Sequence, residues 1–198
     1  KFLCNISSNG IAQKYILDFI TTEKPGIYIK ELQYRKIIRI HPACTIWRYA
    51  IDLYNVIRNG NYDIIHIHKN SLSNFIPVII AYFFCNKVII HSHNTMPKYN
   101  FYLLKLIHYF NRILQGKMNI IRLSCSQKAG EWMYGNKKKF LIIRNGVNYD
   151  KYTFSNVNRK SIRQKYQIEE NEILLGSVAM FIKQKNHTPV DKSKLKIG

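Results

Sequence analysis

Acid is what this sequence has least of: 11 Asp and Glu stand against 31 Lys and Arg in 198 residues, a formal charge of +20. Such an imbalance disfavours cationic partners and attracts anionic ones, among them nucleic acid, acidic lipid and phosphorylated ligands. The basic residues are spread along the whole chain and form no single stripe, so no specific nucleic-acid role is expected. Long apolar runs are missing as well. The most apolar stretch, FIPVIIAYFF from Phe75 to Phe84, contains Pro77 and falls well short of the roughly 20 residues a spanning helix needs. The cysteines Cys4, Cys44, Cys85 and Cys125 stand far apart with no C-x-x-C pair, which argues against a zinc ribbon or a disulfide framework. They read as reduced core residues of a cytoplasmic protein. Neither a signal-peptide pattern nor an initiator Met is present, and the amino-terminus is expected to be cut.

What is there is an alternation of short apolar runs with longer segments of helical period, the signature of repeated βαβ units around a parallel sheet. Strands are predicted at Phe2 to Ile6, Ile27 to Ile29, Ile37 to Ile40, Ile64 to His68, Lys87 to His91, Arg122 to Cys125, Phe140 to Ile143 and Ile173 to Ala179. The runs at Ile64 and Lys87 are the longest β-branched ones and suit adjacent, parallel, central strands. Helices are predicted from Thr45 to Arg58, with Ile46, Ala50, Leu53 and Ile57 on one face, and from Tyr102 to Leu114, with Leu103, Ile107, Phe110 and Leu114 turned to the core. Ser73 and Ser126 are placed to cap two more, and a further helix is expected around Ser161 to Tyr166. A domain boundary is expected near Asn145-Gly146, where a turn signal follows a strand, and the last residues, TPVDKSKLKIG, read as a loose tail.

Ligands of an open parallel sheet bind beyond the carboxyl ends of its strands. Two such ends carry histidines, IIHIH at His66 and His68 and IIHSH at His91 and His93. Strand alternation puts each pair on a shared face, which is how a metal site could be assembled from two H-x-H pairs. No carboxylate accompanies them, since Asp63 stands at the wrong end of its strand, so two readings stand ahead of a metal: His66 as a hydrogen-bonded core residue, and the others as polar lining of an anion pocket. In SNGIAQ, Ser8 to Gln13, Gly10 would let the backbone approach a sugar or phosphate, although G-x-G-x-x-G spacing is absent and a plain turn fits equally.

Four strings occur together in order: YDIIHIHKNSLSNFIPVIIAYFFCNKVIIHSHNT (Tyr62 to Thr95), SCSQKAGEWMYG (Ser124 to Gly135), IIRNGVNYDKY (Ile142 to Tyr152) and QKNH (Gln184 to His187). As a set they resemble the retaining GT-B-fold glycosyltransferases of bacterial polysaccharide synthesis, over roughly Thr45 to His187. The resemblance implies an α/β fold with a Rossmann-like parallel sheet and helices on both faces. Residues 1–143 would form the acceptor-side domain, and residues 144–198 the crossover and an incomplete start of a nucleotide-sugar-binding domain. It implies hexosyl transfer from a nucleotide sugar, commonly a UDP-sugar, to a glycan or lipid-linked acceptor, with no metal or other cofactor. The setting would be cytoplasmic, with peripheral contact to the inner face of an anionic membrane.

Residue by residue, His93 matches the histidine set against the donor sugar, Gly10 the loop near the donor phosphates, and Asn145 and Gly146 the turn at the domain crossover. Ser126 and Glu131 match the helix start that lines the cleft, with Gln127 and Lys128 where the family is usually acidic. Lys185 matches the lysine that clamps the donor diphosphate. Met180 departs from the pattern, standing where the companion arginine is expected, and Ala179 replaces a glycine, with Lys183 nearby as a partial substitute. With that arginine and the later donor-gripping element missing, the chain by itself is expected to be inactive. Two other classes stay open on the residues alone: a basic module that binds anionic polymer or membrane without catalysis, and a metal hydrolase built on the histidine cluster.

Overall fold

The computed structural model describes residues 14–24, 34–95, 102–146 and 152–174. The chain divides into two compact units, Lys1–Asn148 and Tyr149–Gly198. In the first, strands β1 (Asp18–Thr21) and β2 (Lys36–Arg39) form a parallel pair. Helix α1 (Ile46–Gly60) then leads to a four-stranded parallel sheet in chain order, β3 (Ile64–Lys69), β4 (Lys87–Ser92), β5 (Ile121–Ser124) and β6 (Leu141–Ile142). Its connections are α2 (Ile76–Phe84), α3 (Tyr102–Gly116) and α4 (Gln127–Tyr134). This is a Rossmann-like α/β arrangement, as the alternating pattern predicts.

The core lies on the face of the sheet that presents Val88 and Ile90. Leu53 and Ile57 of α1, Val78 and Ala81 of α2, and Met133 and Tyr134 of α4 join those two residues in one buried cluster, with Ile65 and Ile67 packed against it. Burying an aliphatic side chain is worth about 1.5 to 3 kcal/mol, so the β-branched runs anchor the sheet. The Tyr134 hydroxyl reaches the carbonyls of Ile90 and Leu123 at 2.6 and 2.7 Å, tying α4 to two neighbouring strands.

Several local expectations are corrected. Asp18–Thr21 is a strand that the pattern does not reveal; its strands are held by Asp18, which accepts from Arg35 Nε at 2.9 Å and from the Tyr62 hydroxyl at 2.8 Å. β4 is flanked on both sides, whereas β3 ends the four-stranded sheet among the described residues. Helix α1 buries Tyr49, Leu53 and Ile57, spaced by four, while Ile46 is exposed. It stops at Asn61, whose φ of 45° is the left-handed conformation that ends helices and that Asn tolerates. Ser73 does not cap α2: its hydroxyl pairs with that of Ser71, and Asn74 Oδ1 accepts from Ile76 N instead. β6 is shorter than predicted; of the strand expected at Ile173 to Ala179 only Ile173 and Leu174, both exposed, are among the described residues. Cys44 is exposed and not a core cysteine, Cys125 is half-buried, and Cys85, half-buried, packs against the core.

The largest correction concerns α3. Its buried residues are His108, Asn111 and Gln115, while Leu103, Phe110 and Leu114 face outward. Backbone hydrogen bonding accompanies this orientation. The turn after β3 runs through Leu72, whose N–H donates to His108 Nδ1 at 2.9 Å and whose carbonyl accepts from Asn111 Nδ2 at 2.8 Å. Leaving two buried peptide groups unpaired would cost about 1 to 3 kcal/mol each, comparable to what burying the leucines would return. At the carboxyl end of the helix Arg122 donates to the carbonyls of Gln115 and Met118 and to Gln115 Oε1, satisfying last-turn acceptors.

In the second unit, α5 (Asn156–Lys165) begins earlier than predicted because Ser155, extended at φ −134°, accepts from Asn158 N at 3.3 Å. Arg163, buried, donates to the Glu172 carbonyl at 2.9 Å, and Gln167 at φ 54° turns the chain back. The strands expected at Phe2 to Ile6 and Ile27 to Ile29 and the tail from Thr188 lie outside the described residues.

Candidate functional site

The carboxyl ends of β3 and β4 carry the histidines. In the parallel register His68 sits opposite His91 and Lys69 opposite Ser92, and the chain continues the ladder one step further through His93 N–H to the Lys69 carbonyl at 3.2 Å. Period-two alternation then places all four imidazoles on one face. His66 stacks on His68 with ring centroids 4.2 Å apart, His91 on His93 at 4.2 Å, and His68 on His93 at 5.0 Å. The two outermost rings meet through nitrogen, His68 Nδ1 lying 2.7 Å from His93 Nε2, so one donates and the other accepts.

Burial governs their charge. Desolvation pushes His66 and His91 down to about 4 and His68 to about 3, with neighbouring histidines adding to the effect, and it lowers His93 too. At neutral pH the cluster is a set of neutral rings, each able to donate from one nitrogen and accept at the other. His66, His68 and His91 hold ligand atoms within 4.8 Å of one another, a trio that could take a divalent cation such as zinc. The trio holds imidazoles only, with no carboxylate among the three.

Two further strand ends complete the edge. Cys125 N donates to the Ser92 carbonyl at 2.9 Å and Ile143 N to the Ser124 carbonyl at 2.8 Å, so the loops after β4, β5 and β6 leave the same side of the sheet. Ser126 caps α4 as expected, extended at φ −159° and accepting from Ala129 N. Glu131 lies one turn on, its carboxylate accepting from Gln127 Nε2 at 2.8 Å. Asn145 and Gly146 follow β6 in exposed, irregular chain. The structure thus gathers His93, Ser126 and Asn145-Gly146 on successive loops at one sheet edge, with Glu131 set back along α4. Gly10 and Lys185 lie outside the described residues.

Sequence reading passed over Lys69. It closes β3 half-buried, and burial pushes its ammonium down to about 8, leaving a cation of lowered pKa beside the histidine edge. The signal was present, as a basic residue directly after H-x-H, but its place on the ladder depends on the β3–β4 register.

No protein-family model matches the chain, and no curated protein matches it. None of the described helices is long and apolar enough to cross a membrane.

Proposed function

We propose that this chain contributes the acceptor-side domain of a retaining glycosyltransferase that moves a hexosyl group from a nucleotide sugar, a UDP-sugar by resemblance, to a glycan or lipid-linked acceptor in cell-surface polysaccharide synthesis. The observation that carries the reading is the placement of His93, Ser126 and Asn145-Gly146 on the loops that follow three adjacent strands at the carboxyl edge of a parallel sheet. Ligands of this architecture bind there.

In this reading the neutral His93 ring, held by His68, donates or accepts a hydrogen bond at a sugar hydroxyl and fixes the reacting carbon in line, an orientation effect. The α4 amino-terminus behind Ser126 offers backbone N–H groups and the positive end of its dipole to an oxyanion or phosphate. Lys69 adds a cation on the same edge. Lys185 would meet the leaving diphosphate, and Gly10 would let the chain approach it. Met180, in place of an arginine, removes one charge-assisted contact worth roughly 1.5 to 3 kcal/mol, which by itself slows transfer about tenfold or more, and the chain alone is inactive in this reading. The reaction takes no metal, belongs on the cytoplasmic side, and brings the protein into peripheral contact with an anionic membrane.

Histidine ring resonances test this reading. Millimolar UDP-hexose is expected to shift the His93 signals and those of Ala129 and Gly130 at the α4 start, with no detectable sugar transfer. Unchanged His93 signals, or shifts confined to the far end of the sheet, would refute the site.

A further inference from the structure

Of the four imidazoles on the β3–β4 face, only His93 meets the sugar in the function proposed above. His66 and His68 are half-buried and His91 is fully buried. Desolvating ring nitrogens carries a cost that an aliphatic side chain of similar size would avoid, so three such rings on one sheet face point to chemistry of their own. Their ligand atoms all lie within 4.8 Å of one another, and among the described residues no other group of three His, Cys, Asp or Glu comes together in this way. The backbone fixes that meeting. His68 stands opposite His91 in the parallel register, and His66 lies two residues earlier on the same face of β3. Ligands carried on paired strands are held more closely than ligands on loops.

The donor set selects what it holds. Imidazoles without a carboxylate suit zinc, cobalt, nickel or copper, and suit magnesium or calcium poorly, because those hard cations take oxygen. Three protein nitrogens make up most of a tetrahedral zinc shell, and the half-buried side of His66 and His68 leaves the fourth place to water. A metal-bound imidazole ordinarily gives its second N–H to an acceptor that sets its tautomer and orientation. The contact of His68 Nδ1 with His93 Nε2 at 2.7 Å supplies that bond.

We propose that His66, His68 and His91 form a transition-metal site of the zinc class, with His68 binding through Nε2 while its Nδ1–H donates to His93 Nε2. The ion takes no part in sugar transfer. It locks the His68 ring and, through the hydrogen bond, fixes the His93 ring at the sheet edge, so the ion is structural and His68 is a positioning residue. The site goes beyond the glycosyltransferase reading, and zinc binding and the response of His93 to UDP-hexose can fail separately.

The test uses the full chain, free of any affinity tag and stripped with a chelator. Equilibrium dialysis against zinc should load one ion per chain, cobalt should give the intense visible absorption of a tetrahedral site, and excess magnesium should displace neither. His93→Ala should weaken zinc binding about ten- to a hundredfold and keep the cobalt spectrum, whereas His68→Gln and His91→Gln should lose both. His41→Gln, at an exposed histidine outside the cluster, should change nothing. Since His91 is fully buried and its variant can fail to fold, the parent carries a readout of its own. Zinc should shift the ring resonances of His66, His68, His91 and His93 and leave those of His41 and His108 in place. Shifts confined to His41 would overturn the proposal, as would a folded His91→Gln chain that binds zinc like the parent. A stripped chain that takes up no zinc at micromolar concentration would do the same. Unchanged zinc affinity in His93→Ala would overturn the link from His68 to His93.

Discussion

Acid should loosen this protein through His108 in a way that one substitution can isolate. The ring is fully buried, stacked face to face on Trp132 with centroids 3.9 Å apart, and it accepts at Nδ1 from Leu72 N–H while Nε2–H donates to the Trp132 carbonyl at 3.2 Å. Burial pushes it down to about 4, with the Trp132 hydrogen bond opposing and Arg112 reinforcing the shift. Protonation would put a hydrogen on Nδ1 facing the Leu72 N–H, two donors against each other. The folded value lies below the unfolded value near 6.5, so between these pH values the unfolded chain binds the extra proton and unfolding is favoured as pH falls. At about 1.4 kcal/mol per unit, the full effect is about 3 kcal/mol, complete above about pH 6.5 and gone below about 4. About 2 kcal/mol of it is lost between about pH 7 and pH 5. His66, His68 and His91 act with the same sign, so the parent alone cannot assign the slope. The comparison is parent against His108→Gln, both in a Trp47→Phe background that leaves Trp132 as the one tryptophan, unfolded in urea at pH 7, 6 and 5. The His108→Gln substitution should cost about 1 to 3 kcal/mol at pH 7, from the lost stack and a poorer acceptor for Leu72, and the gap to the parent should narrow by about 2 kcal/mol at pH 5. A gap that stays constant with pH would refute the reasoning.

Asp18→Asn weakens both the Arg35 contact and the Tyr62 contact that join β1 to β2 and to the approach to β3; a loss of about 1 to 3 kcal/mol in urea unfolding is expected, and an unchanged midpoint would argue against this tie. Arg35 holds the Asp18 carboxyl below its usual range, so that stability is present above about pH 4 and is lost as pH falls through the lowered value. Gly130→Ala pits helix propensity, which favours Ala by about 1 kcal/mol, against a new Cβ only 2.2 Å from the Phe140 ring. Overpacking of about 1 to 3 kcal/mol should win, and a thermal midpoint above the parent's would show that Phe140 yields freely. Ser126→Ala should cost about 1 kcal/mol through the lost α4 cap, while Ser126→Asp restores it; equal loss in both would mean that the hydroxyl acts elsewhere than at the cap.

Sequence periodicity carried the parallel pairing of β3 with β4, and the strand positions to within a residue or two, because β3 and β4 are short β-branched runs whose burial on the core face leaves little choice of structure. It also carried the histidine face, since alternation by two fixes which side chains share a side. Ser126 was legible for the same local reason: a cap is satisfied within four residues of itself. Tertiary structure alone decided the rest. The depth to which His66, His68 and His91 are desolvated, and the meeting of His68 with His93, follow from the β3–β4 register and not from either strand. β1 exists because Asp18 finds Arg35 and Tyr62, 17 and 44 residues away. The orientation of α3 is the clearest case. Its hydrophobic period names two possible faces and favours the apolar one, but the peptide groups of Leu72, more than 30 residues earlier, needed partners that only His108 and Asn111 supply. A buried backbone donor and acceptor would each cost about 1 to 3 kcal/mol if left unpaired, a term of the same order as the gain from hiding the leucines. No periodicity within the helix contains that information, because the groups that decide it belong to another part of the chain.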